Sequence, residues 1–456
     1  MVDEWWIDPM RRAFAGRRVV LAGAKGVSWT EHIDLLRSVG VEQMLVVATD
    51  GRGAGPLPDV PTLIIEPPAG MTEMERIHAS HRTLADPPPV AVDALERFDP
   101  HREALVIGTF LATVSHLDGR PLLARRRPEW VALEDKVVVD SFWDRAGVDR
   151  APSAVVPLFE GEQAASRLDR GQGTVWAADA REGFHGGAHG TRWVTDPASR
   201  DRALATLARI CDTVRVMPFL EGVPCSIHGI VLPDGIAVLR PVELVTLRRG
   251  RDLLYAGCAT YWDPAPAIRD AMRAIARRVG EQLRDEVAFR GAFTVDGVVT
   301  LDGFRPTELN PRFGAGIMTI ARGTGIPMLL VNDLVVAGHD IGRTAEELET
   351  DVLAHADARR GGGTWTGTLD HDVDVEARPV GFDGTAWHWA TDGPVAGHVT
   401  AGDGFVRCIY DQASTPVGPP TAPRAVAFWE FMARELGTAT GGLTPASETS
   451  GARPQT

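Results

Sequence analysis

The sequence predicts an α/β region followed by an α+β region and a small β-rich C-terminal unit. Three observations carry this reading. Strand-like and helix-like stretches alternate through the first third of the chain. A pair of strand patterns joined by a tight turn spans residues 288–311. Beyond about residue 344 the chain shifts to short Thr-, Gly- and Trp-rich segments.

In the first third, strand patterns at residues 17–22, 43–48 and 104–107 alternate with helical patterns at 29–39, 72–84 and 90–97. That rhythm implies an N-terminal domain, residues 1–132, built on a doubly wound parallel sheet. The turn Gly23-Ala24-Lys25-Gly26 after the first strand could cradle an anion, but such a turn is more often simply a tight strand-to-helix connection. Residues 133–146 have helical spacing, and Gly147 suits the position after a helix end. Strand patterns follow at 153–156, 174–178, 192–194 and 213–220, with a glycine-dense loop at 182–190. Further strands at 225–232 and 236–245 flank the turn Pro233-Asp234-Gly235. A long helix is expected at 265–283, two more at 317–323 and 327–338, and a last one near 425–436. The polar stretch from Gly437 onward reads as disordered.

The chain has 456 residues, 44% hydrophobic and 24% charged, as in ordinary soluble globular proteins. The first residues carry early acidic groups and lack an apolar core, so a signal peptide is not expected. No apolar run approaches the roughly 18 residues a membrane span needs. A net charge of −14 argues against nucleic-acid and anionic-membrane partners, which need basic surface. The four cysteines are scattered without metal-binding spacing, which points to the reducing cytoplasm. Of 47 basic residues only Lys25 and Lys136 are lysine. Where arginine is so favoured, a retained lysine suggests a need for a compact ammonium.

The densest chemistry lies in residues 291–316, GAFTVDGVVTLDGFRPTELNPRFGAG. With a three-residue loop through Leu301-Asp302-Gly303, Asp296 falls opposite Glu308, and Glu308 shares its face with Asn310. Two carboxylates and an amide oxygen make a hard, oxygen-only set suited to Mg²⁺. A two-residue loop would turn Asp296 away. Arg312 follows in reach of a phosphate or carboxylate. A solvated hairpin with a charged outer face remains the competing account.

The run Glu308-Leu309-Asn310-Pro311-Arg312, after Asp296 at this distance, resembles the metal-binding signature of the ATP-grasp superfamily of carboxylate–amine ligases. The resemblance implies a two-lobed nucleotide-binding domain, with a small lobe at 133–220, a large lobe at 221–343, a β-rich unit at 344–436 and a tail at 437–456. It implies ATP and Mg²⁺ as cofactors, Asp296, Glu308 and Asn310 as metal ligands, and Arg312 steadying the transferring phosphoryl group. Glu134-Asp135-Lys136 resembles the start of the domain, where Lys136 would meet an ATP phosphate. Residues 215–222, RVMPFLEG, resemble the inter-lobe hinge, with Met217, Phe219 and Leu220 at the adenine and Glu221 standing in for the ribose-binding glutamate. Trp176 falls on the strand that in many relatives carries a second lysine; here that strand has none. The missing charge would come from His185, His189 or Arg192, or from the backbone N–H groups of Gly186, Gly187 and Gly190 in the loop that follows, acting as an anion nest. That loop would close as a lid over the reaction.

Ser226, Arg248, Gly314 and Gly316 are the expected substrate-binding residues, while Glu243 is expected to pair an arginine. The run VMPFLEGVPCSIHG, with RPVELVTLR after it, resembles the branch that includes the peptide ligase of pheganomycin biosynthesis. On that resemblance the donor is a small amino-acid-like carboxylate, and the acceptor is an amine, with a peptide N-terminus foremost. The acidic positions Asp370, Asp372, Asp374 and Glu376 would receive a cationic peptide. A ligase for a single amino acid or small amine and a noncatalytic nucleotide-binding protein are the alternatives, and a homodimer is an assembly compatible with either.

Overall fold

The computed structural model describes residues 4–23, 25–51, 57–71, 73–181, 190–367, 373–402 and 404–447. Its N-terminal sheet is fully parallel, in the spatial order Thr62–Ile64, Gln43–Ala48, Arg18–Ala22, Leu105–Gly108. Side chains alternate across a strand, so both faces of these apolar strands need cover. Val19, Leu21, Met44 and Val46 pack with helices Ile7–Phe14 and Thr30–Ser38. Val20, Ala22, Leu45 and Val47 pack with helices Glu73–Ala85 and Pro89–Phe98. The sheet is doubly wound, as the sequence rhythm implies.

A second, antiparallel sheet of four strands runs Ala154–Pro157, Thr213–Pro218, Thr174–Ala178, Thr191–Val194. Helices Gly161–Leu168 and Pro197–Leu207 cover one face, around Trp176, Val214 and Val216. Its other face, with Val175, Ala177, Thr191, Arg215 and Met217, is left open toward a large mixed-length antiparallel sheet.

That large sheet contains the strands Val223–Val231, Val242–Arg249, Asp252–Ala259, Gly291–Thr300 and Gly303–Asn310. Helix Pro266–Val287 packs on one side of it, with Ile275, Val279 and Leu283 against Ile227, Phe293 and Val295. The β-rich C-terminal strands extend the same sheet, because Gly362–Gly367 pairs with Asp252–Ala259 and then with Phe405–Tyr410.

Several elements differ from the sequence reading. Residues 236–245 form two strands, Ile236–Val238 and Val242–Arg249, broken around Pro241, which cannot donate to a ladder. The helix expected over residues 133–146 starts only at Val139. A 14-residue helix, Ala345–Ala358, opens the C-terminal region, started by a capping box between Thr344 and Glu347. The segment expected to be disordered is ordered through Ser447: Thr444 and Pro445 pair with Arg248 and Leu247, and Leu443, Ala446 and Ser447 are buried. Among the described residues no single helix is long and apolar enough to cross a membrane.

Candidate active site

A cavity of about 380 Å³ lies between the open face of the four-stranded sheet and the large sheet. Its floor is set by three adjacent strands. Register places Ser226 opposite Asp296 and Asp296 opposite Glu308; one step along, His228 is opposite Thr294 and Thr294 opposite Asn310. Six polar side chains thus share one face of the sheet.

The alignment arises differently from the sequence expectation. Thr300 pairs with Gly303, so the loop is the two residues Leu301 and Asp302, with Gly303 at φ 98°. Regular alternation would then put Thr307 opposite Asp296 and turn Glu308 into the core. Instead the register shifts between Asp296 and Gly297, and Thr307 is the extra residue on its strand. Thr307 and Glu308 both reach the cavity, while Leu309 returns to the core beside Val295. The Thr307 hydroxyl donates to the Asp296 carbonyl (3.2 Å), and Arg215 Nη1 donates to the Thr307 carbonyl (3.0 Å).

The electrostatics are those of an acidic pair ringed by cations. Burial first, and repulsion from Glu308 second, push the Asp296 carboxyl up to about 7, against the pull of Arg312 and Lys136. Asn310 Nδ2 donates to Asp296 Oδ2 (2.9 Å), and Arg312 Nη2 donates to Asn310 Oδ1 (2.9 Å). Lys136 lies in a turn rather than on a helix, and its Nζ is 3.0 Å from Glu308 Oε1. Arg312 Nε donates to buried Glu134 (2.8 Å), which also pairs with Arg126. Among the described residues no group of three or more histidine, cysteine or acidic side chains converges. The hairpin's two carboxylates and one amide fit a hard divalent ion that takes further ligands from phosphate or water. Such a charge would relieve the repulsion that raises Asp296.

The structure brings most of the expected residues to this cavity. Lys136, Met217, Phe219, Leu220, Ser226, Asp296, Glu308, Asn310, Arg312, Gly314 and Gly316 all line it. Others do not. Trp176 points into the core of its own lobe, fully buried, with Nε1 bonded to Thr174; alternation gives its neighbours Val175 and Ala177 to the cavity. Glu221 lies at the edge, accepting from the Ser447 hydroxyl. Arg248 stands over the Trp193 ring, which stacks on Phe219, and bonds Thr444 instead of reaching the floor. Among the described residues Glu243 pairs with no arginine: it accepts from Thr421 N and Oγ1 and from Ala422 N, capping helix Ala422–Leu436, and its burial pushes it up to about 7. Gly186 and Gly187, with most of the expected lid, lie outside the described residues, as do Asp370 and Asp372.

The sequence reading missed Tyr255, Leu253, Ala446 and Ser447, all of which line the cavity. A strand signal existed for the first two, since LLYAGCA follows a glycine turn at Gly250. For the last two none did, because a polar tail has no periodicity.

Two lobes closing on a cavity, one an antiparallel sheet under helices and the other a large sheet ending in a carboxylate-bearing hairpin, constitute a known architecture. The chain has the ATP-grasp fold. Among solved structures it is similar to biotin carboxylase from Campylobacter jejuni, in a complex named for β,γ-ATP, at 13% identity over 93% of this chain and 92% of that one, with a TM-score of 0.57. It is similar to N5-carboxyaminoimidazole synthase from Aspergillus clavatus, in complex with ADP and an aminoimidazole ribonucleotide, at 12% identity over 93% and 98%, TM-score 0.51. It is also similar to Rhizobium etli pyruvate carboxylase, at 14% identity and TM-score 0.55, where it spans 92% of itself but only 37% of that longer chain. No family model and no curated protein sequence matches it.

Proposed function

We propose that the cavity binds Mg²⁺-ATP and that the protein is an ATP-dependent carboxylate–amine ligase, forming a C–N bond through an acyl phosphate. The observation that carries this reading is the row Asp296, Glu308, Asn310, held beside Lys136 and Arg312 in a cavity between two lobes. When bound, Mg²⁺-ATP supplies the γ-phosphoryl group that gives a carboxylate oxygen the character of a leaving group.

The chain's own part is positioning and charge neutralisation. Backbone groups of Met217–Leu220, with Val175, Ala177 and Phe219 as apolar walls, hold the base. Glu221, fixed by Ser447, faces the ribose. Asp296, Glu308 and Asn310 hold the metal. Lys136, now paired with Glu308, exchanges that partner for phosphate, and Arg312, anchored by Glu134, steadies the transferring group. Ser226, Gly314 and Gly316 border the substrate, and Arg248 clamps its far end when it leaves Trp193.

The finer reading is a peptide ligase of natural-product biosynthesis in the cytoplasm, joining a small amino-acid-like carboxylate to the N-terminus of a peptide; the run VMPFLEGVPCSIHG supports it. A full oxygen set with an anchored arginine weighs against a protein that only binds nucleotide. The test is ADP release by wild type and by Glu308→Gln, with Mg²⁺-ATP, a panel of amino and guanidino acids as donors, and short peptides and simple amines as acceptors. Donor- and acceptor-dependent ADP release that disappears in the variant is expected. Failure of the wild type to bind ATP overturns the proposal.

A further inference from the structure

The floor of the cavity carries a group for which the phosphate chemistry has no use. His228 is fully buried, with Nε2 3.0 Å from Ser226 Oγ and Nδ1 2.9 Å from Thr294 Oγ1. Both residues border the cavity, Thr294 with a small exposed area and Ser226 fully buried, and neither hydroxyl has another hydrogen-bond partner among the described residues. The ring is held from above as well: a Cβ on Gly316 would lie 2.3 Å from Nε2, so the imidazole occupies the space that the glycine leaves.

The chemistry of this trio is constrained. Burial without an acidic partner keeps the imidazole neutral, its pKa pushed down to about 3. A neutral imidazole has one N–H and one bare nitrogen. Of the two hydroxyls, one must therefore give its proton to the ring and one must accept from it. The first is left with lone pairs alone to offer the cavity, and the second keeps a free proton. A hydroxyl–imidazole–hydroxyl chain thus holds one obligate acceptor and one donor, without charge, and Thr294 is the end that reaches the cavity.

Its location selects the ligand. Ser226 is one strand from Asp296, and Thr294 is one strand from Asn310. The cationic groups of the cavity, Lys136, Arg215 and Arg312, suit phosphate and would repel an ammonium. A free amine next to the reacting carboxyl needs a neutral acceptor for its N–H, so that its lone pair points away from the protein.

We propose that Thr294 seats the attacking amine by accepting from its N–H, its own proton being held by Nδ1 of His228 while the ring's Nε2–H donates to buried Ser226. The inference rests on the ligase reading of the site. His228 and Ser226 are positioning residues that act through Thr294.

The experiment traps the activated donor in two ways, with saturating hydroxylamine, which needs no seat, and with methylamine as a minimal amine, using the same panel of amino and guanidino acids as donors. Ser226→Ala and His228→Leu are expected to lower kcat/KM for methylamine about tenfold more than they lower hydroxamate formation or ATP affinity, the worth of one hydrogen bond. His228→Gln, which keeps a donor and an acceptor, should recover most of the loss. Parallel loss in all three readouts overturns the inference, as does a wild type that forms hydroxamate but never methylamide. A wild type that yields no hydroxamate with any donor overturns the ligase reading itself, and this inference with it. Ser226→Ala alone decides the matter if His228→Leu does not fold.

Discussion

Gly316→Ala separates helix propensity from cavity geometry, because the two predict opposite signs. Gly316 lies in helix Ala315–Thr324, where alanine would ordinarily stabilise by about 1 kcal/mol. Here the added Cβ would meet His228 at 2.3 Å from Nε2 and 2.4 Å from Cε1. Ordinary contact requires the ring to retreat by roughly 1 Å. That ring is bonded on both nitrogens, so retreat weakens two buried hydrogen bonds at about 1 kcal/mol each, on top of an overpacking cost of about 1–3 kcal/mol. The net expectation is destabilisation by about 2–4 kcal/mol, read as a lower urea midpoint at unchanged slope. Adding His228→Ala empties the space the Cβ needs, so Gly316→Ala should cost far less in that background. Equal or higher stability of the single variant, or the same cost in both backgrounds, would refute the packing argument.

Other consequences follow from particular side chains. Asp333 is buried, and burial pushes its carboxyl up to about 8 against an unfolded value near 4. Its protonated form is the one the fold favours, so this stability is fully present below pH 4 and is lost as pH rises from there through about 8. Asp333→Asn should flatten the stability profile across that window; an unchanged slope in urea titrations from pH 5 to 8 would discount it. Ending the chain after Gly442 removes the strand at Thr444–Pro445 and the Ser447 contacts to Glu221 and Gly222. ATP affinity measured by calorimetry should fall several-fold, and full affinity would show that this segment is no part of the nucleotide site. Lys136→Met deletes an ammonium beside Glu308. It should lower kcat by roughly a hundredfold, in the range seen for lost electrostatic donors, with stability changed little; activity within a factor of two of wild type would contradict the assignment.

How much was legible depended on how local the cause was. Alternating apolar strands and helices make the parallel domain readable, because both faces of such a sheet must be covered. The hairpin was readable as a carboxylate pair, with Asp296 opposite Glu308, but not in the loop that sets this pairing. The sequence shows Gly303 as a turn residue, yet nothing in it distinguishes a three-residue loop from a two-residue loop corrected by a bulge at Thr307. Trp176 was misplaced by one residue of strand parity, which sends a side chain to the opposite face. Helix Ala345–Ala358 was missed although Thr344 and Glu347 spell a capping box. Residues 437–447 could not be read at all: their order comes from pairing with a strand about 200 residues earlier in the chain, and from Ser447 reaching the hinge.

The most direct test of the central claim is the fate of the donor's oxygen. With the donor found by ADP release, its carboxylate is labelled with ¹⁸O and the products of one round of coupling are weighed by mass spectrometry. An acyl phosphate requires one labelled oxygen to leave in inorganic phosphate for each amide formed, with ADP as the nucleotide product. Label recovered in AMP, or unlabelled phosphate at full coupling, would contradict the account.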